Sequence, residues 1–147
     1  VNTLGAKALF DVSIALLDER ILASRGWVIH SRVFPVLDIS FRSNERQELR
    51  VKLGFDDWND TPPSVDLCAP DGTFLMALPQ PRPGNNIFNA GAHDRTKRPF
   101  VCMIGVREYH THASHLNEPW PNYKAQDNYT LGNVVEQIWN GWLGVWP

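Results

Sequence analysis

Three of the five histidines, His110, His112 and His115, fall within six residues. Glu108 stands two positions before the first of them and Cys102 six positions before Glu108. Thiolate, imidazole and carboxylate are the ligand types zinc takes, and four of them close a tetrahedral shell. The sulfur and nitrogen content favours zinc over magnesium or calcium. Residue type and spacing therefore nominate Cys102, Glu108, His110, His112 and His115 as metal ligands, with His112 and His115 as alternatives for the second histidine. Glu118 is a further ligand or the acceptor for a histidine's other ring N–H. Three protein ligands would leave a place for water, which gives a zinc hydrolase with Glu108 as general base, although the chain has no H-E-x-x-H motif. Cys102 also supports a second chemistry, as a nucleophile that accepts an acyl group.

These residues need an element to present them. Pro99-Phe100-Val101-Cys102-Met103-Ile104-Gly105-Val106 reads as a buried run leading into them. Extended backbone would place the even-numbered Cys102, Glu108, His110 and His112 on one face, with Gly105 as a bend or bulge and His115 entering from the following turn. The remaining candidates read as structure. Cys68 beside Leu67 is an inert core thiol, His30 and His93 stand apart as satisfied histidines, and Arg95-Thr96-Lys97-Arg98 is a solvated basic turn. Trp139, Trp142 and Trp146 are packing residues near the C-terminus.

Around this segment the hydrophobic period changes several times. Residues 3–24 read as one amphipathic helix on the stripe Phe10, Ile14, Leu17 and Ile21, widened by Leu9, Val12 and Leu16. Thr3 is its N-cap and Gly26 its stop. Trp27-Val28-Ile29 and Val33-Phe34 look extended, with Pro35 limiting pairing. Residues 36–42 and 49–55 alternate at period two across the polar turn Ser43–Arg46, and Ser64–Cys68 adds a short strand, making a three-strand antiparallel meander. Residues 69–99 carry Pro70, Pro79, Pro81, Pro83 and Pro99 and read as a long irregular segment, with a turn at Asp71-Gly72. Thr130 caps a final helix carrying Val134, Val135, Ile138, Trp139 and Trp142. The order is α+β, without βαβ repetition.

Composition sets the wider limits. The chain has 147 residues, enough for one domain spanning 1–147 with its metal segment around 100–120. A net charge of −2 argues against a general nucleic-acid binder. Two cysteines are too few for a disulfide scaffold, so a reduced cytoplasmic setting is expected. No apolar run is long enough to span a membrane, and the start lacks a signal-peptide pattern. Val1 in place of an initiator Met implies processing or excision from a longer protein.

Two resemblances follow from these motifs. Trp58-Asn59-Asp60-Thr61-Pro62-Pro63-Ser64-Val65-Asp66-Leu67 resembles the aromatic, Pro-Pro and strand signature of ubiquitin-conjugating (E2) and RWD-type domains, and Cys102, Trp120-Pro121 and a last helix follow in the same order. The stretch from Phe100-Val101-Cys102 to Glu108-Tyr109-His110-Thr111-His112 resembles the bacterial predicted metal-binding domain named for Cys, Glu, His and His. That family is associated with bacterial ubiquitin-like conjugation gene sets, beside E1-like, E2-like and JAB-type peptidase proteins. The resemblance implies a zinc ion on Cys102, Glu108, His110 and His112 or His115. It also implies an E2-like or accessory role with a ubiquitin-like protein and E1-like or E2-like partners. The alternative is an active conjugating enzyme with a thioester on Cys102. The His-Pro-Asn tripeptide of conjugating E2 domains is missing; Asn85, Asn86, Asn89 and His93 are the nearest residues of those types.

Overall fold

The computed structural model describes residues 2–147, an α+β fold in which N- and C-terminal helices flank a central antiparallel sheet. The N-terminal helical segment is two helices, α1 (Thr3–Ala15) and α2 (Glu19–Arg25), where the stripe had suggested one. The break has a local cause. Leu16 and Leu17 close α1 with bonds to Ser13 and Ile14. Asp18 then turns extended, and its side chain accepts the Ile21 N–H at 2.9 Å, starting a new helix. Asn2, not Thr3, caps α1 by accepting from Gly5. Gly26 ends α2 at φ 68, as a left-handed C-cap. Phe10, Ile14 and Leu17 are buried, but Leu9, Val12 and Leu16 are exposed, so the apolar face is narrower than the sequence suggested.

The sheet has four strands rather than three: β1 (Trp27–Val33), β2 (Val36–Phe41), β3 (Leu49–Gly54) and β4 (Ser64–Cys68), paired in chain order. Trp27–Val33 forms one strand across a register shift between Ile29 and Ser31, with Phe34-Pro35 in the turn to β2. Leu37, Ile39, Phe41, Leu49, Val51, Leu53, Val65 and Leu67 form the buried apolar side. The other side of β2 is closed by polar pairs. Asp38 takes two bonds from Arg50, each 2.8 Å, and Ser40 bonds His30 at 2.7 Å. That explains why β2 is buried almost throughout although its sequence alternates.

The last helix, α4 (Leu131–Val145), is N-capped by Thr130 and buries Leu131, Val134, Val135, Ile138, Trp142 and Val145. Trp142 is fully buried and donates its indole N–H to the Gln47 carbonyl. Residues 69–99 are mostly irregular, as expected, but Phe88–Asn89 (β5) pairs with Phe100–Val101 (β6). The extended segment expected through His112 stops at Val101. Gly105 takes φ 102, and Arg107–His110 forms a one-turn helix, α3. Residues 102–112 therefore do not alternate faces, and their even-odd grouping has no structural counterpart.

Candidate functional site

Cys102 sits one residue beyond β6, its N–H held by the Ile87 carbonyl at 2.7 Å. The sulfur is half-buried, and burial pushes the thiol above its ordinary range. His115 closes a 3-10 turn, Ala113–His115, that begins where the His112 side chain accepts the Ser114 N–H. This places His115 Nε2 3.8 Å from Cys102 Sγ, across 13 residues of chain. On the other side of the ring, Nδ1 lies 3.0 Å from Glu118 Oε2. The same oxygen accepts the Tyr109 hydroxyl at 2.7 Å. The Tyr109 ring lies flat on the His115 ring, centroids 3.8 Å apart and 14° from parallel. Sulfur, imidazole and carboxylate thus stand in line across one histidine, with an aromatic ring backing it.

The local charges fit this geometry. Hydrogen bonds from Tyr109 and His115 hold the Glu118 carboxyl below its usual range. Burial, and then the bond to Glu118, raises the Tyr109 hydroxyl, which stays a donor. Trp120, in the 3-10 turn Trp120–Asn122, anchors the chain just after Glu118 by donating its indole N–H to the Asn59 carbonyl at 2.9 Å. Asn59, in the stretch that leads into Pro62-Pro63, and the Trp-Pro segment therefore meet through this bond.

The other nominated ligands point elsewhere. His110 Nδ1 bonds the Glu118 carbonyl at 2.7 Å, and its Nε2 accepts the Gly105 N–H at 3.1 Å. Both ring nitrogens are in use, and burial holds the ring below its ordinary histidine range. His112 Nδ1 faces the Ser114 hydroxyl at 2.6 Å, and its ring stacks on Phe100. Glu108 is buried, 3% exposed, with Oε1 on the Val65 N–H at 2.6 Å. Its Oε2 has no hydrogen-bond partner among the described residues, and desolvation raises the carboxyl to about 7. Cys102, Glu108, His110 and His112 do not converge on a point. Among the described residues no group of three or more His, Cys, Asp or Glu side chains could hold a metal ion. The four-ligand zinc shell does not fit this arrangement. The Cys102, His115 and Glu118 groups do not supply one either, because sulfur and carboxylate lie on opposite sides of the imidazole.

Spacing found Cys102, His115 and Glu118 but assigned them to a metal. It missed Tyr109, whose only signal is an aromatic side chain beside a histidine cluster. It set His93 apart as a satisfied histidine, and the structure buries that ring with both nitrogens near polar groups. It is 1% exposed, faces the Glu108 carbonyl at 3.0 Å and packs edge-on to Phe100.

Residues 84–147 match the family model described as Y4jH-like, the Y4jH family. That stretch contains Cys102, Tyr109, His115, Glu118 and all of α4. The chain is also similar to "Uncharacterized protein y4jH" of Sinorhizobium fredii (strain NBRC 101917 / NGR234), 34% identical over 47 residues. The aligned part is 32% of this chain and 23% of that protein's length. No helix among the described residues is long and apolar enough to cross a membrane.

Proposed function

We propose that this chain is an E2-like component of a bacterial ubiquitin-like protein modification pathway, with Cys102 carrying the ubiquitin-like C-terminus as a thioester. The observation that carries the reading is the Cys102 sulfur facing a histidine nitrogen whose opposite side rests on a carboxylate. A thiol above its ordinary pKa needs a base at the moment of attack, and an oriented imidazole supplies one. The order of parts supports an E2/RWD-like architecture. A helical N-terminus precedes a four-stranded meander, Pro62-Pro63 lies between β3 and β4, and the cysteine, Trp120-Pro121 and α4 follow. With no His-Pro-Asn tripeptide before Cys102, the polar group that faces the sulfur comes from downstream, from His115, with Glu118 on the far side of its ring.

The partners on this reading are an E1-like activating enzyme, which loads Cys102, and the ubiquitin-like protein itself. The zinc reading gives Cys102 a different duty, since a thiolate bound to zinc is unavailable to an acyl group. Reconstitution with an activating enzyme, ATP and the ubiquitin-like protein tests the proposal on a non-reducing gel. A thiol-sensitive adduct on the native chain, missing from Cys102→Ala, is the expected result. An adduct that survives Cys102→Ala, or none with an activating enzyme that has itself been charged, overturns it.

A further inference from the structure

Glu118 Oε2 receives two groups, the Tyr109 hydroxyl at 2.7 Å and His115 Nδ1 at 3.0 Å. An ionised carboxylate only accepts, so Nδ1 carries a hydrogen and donates it. A neutral ring with its hydrogen on Nδ1 has a bare lone pair on Nε2, and that nitrogen faces Cys102. The stacked Tyr109 ring, 14° from parallel, restricts rotation of the imidazole. We infer that Tyr109 and Glu118 are positioning residues that fix His115 in a single tautomer, with bare Nε2 turned to the Cys102 sulfur. The inference rests on the reading of Cys102 as an acyl carrier and names what prepares it.

The step balances without oxidant or reductant. As Cys102 sulfur attacks the carbonyl of an incoming thioester, its proton moves to His115 Nε2. A new S–C bond forms on Cys102 and the donor's S–C bond breaks. The departing thiolate takes the proton back from the imidazolium. Glu118 holds the Nδ1–H throughout and steadies the transient positive ring.

Two readouts test this without activating enzyme or ubiquitin-like protein, so they can fail independently of the charging assay. The first is the long-range proton–nitrogen spectrum of the labelled chain, at a pH where imidazoles are neutral. The second is the rate at which iodoacetamide alkylates Cys102 at that pH, followed by peptide mapping. The native chain should show His115 protonated on Nδ1 and bare on Nε2. Glu118→Ala should mix the tautomers and slow alkylation about tenfold, a modest part of what a well-placed base contributes. Glu118→Gln keeps an acceptor and should recover to within about threefold of the native rate. Tyr109→Phe keeps the stack and should stay close to native, whereas Tyr109→Leu should behave like Glu118→Ala. Glu118 is a third exposed, so its variants should fold even where Tyr109→Leu does not. A native His115 protonated on Nε2, or alkylation at the native rate in both Glu118→Ala and Tyr109→Leu, overturns the inference.

Discussion

The Val65 N–H donates to Glu108 Oε1 at 2.6 Å, tying the start of β4 to α3 across 43 residues of chain. Arg107 reinforces the tie through its own N–H to the Pro63 carbonyl and its guanidinium to the Pro62 carbonyl. The carboxylate that spacing offered to a metal instead holds, through one oxygen, the strand that follows Pro62-Pro63 to α3.

This tie makes stability depend on pH. Desolvation raises the folded-state Glu108 carboxyl to about 7, against an ordinary glutamate value of 4.5. Asp66 adds to the rise, while the bond from Val65 and the charge of Arg107 oppose it. Between the two values the folded chain holds a proton that the unfolded chain has lost, so this group's contribution falls as pH rises through that window. The gap converts to about 3 kcal/mol. Urea unfolding of the native chain and Glu108→Gln at several pH values should show the native chain losing stability from pH 5 (about the unfolded value) to pH 7 relative to the variant. Parallel curves would contradict it.

Gly105→Ala should destabilise the loop that carries Cys102. Gly105 has φ 102, an added Cβ would sit 2.9 Å from the Tyr129 ring, and its N–H serves His110. Strain of this kind costs about 2 kcal/mol, read as a lower urea midpoint. An unchanged midpoint would mean that the loop has another conformation.

The two faces of the terminal helices should respond differently to truncation. Trp142→Ala removes a fully buried ring against Phe41 and should cost about 3–5 kcal/mol. Val12→Ala, at a site 69% exposed, should stay within about 0.5 kcal/mol. Chemical denaturation of both variants measures the contrast, and similar losses would place Val12 in the core.

How far the sequence reads depends on how local the determining interaction is. Period two located β3, Thr130 and Gly26 marked helix ends, and the α4 stripe located the core face, because each signal lies within a few residues of its effect. The break at Asp18 was hidden because an uninterrupted apolar stripe also suits one long helix; only the capping bond to Ile21 separates the two. The site was half legible. Cys102, His115 and Glu118 stood out by residue type, but their roles depend on which side of one imidazole each occupies. That is set by a turn at Gly105, a one-turn helix and the Tyr109 stack, none of which follows from counting residues.

Zinc content separates the acyl-carrier reading from the metal reading. Elemental analysis of the purified chain should find well under one zinc per molecule, with no systematic fall in Cys102→Ala or His110→Ala. One zinc per chain that falls towards zero in both variants would restore a metal shell built by rearrangement of the loop.

The most direct measurement is the mass of the Cys102 peptide after incubating the chain with a peptide thioester ending in Gly-Gly, followed by non-reducing digestion. The acyl mass is expected on Cys102, removed by added thiol and formed more slowly in His115→Asn. An unmodified Cys102, or the same label on buried Cys68, would contradict it.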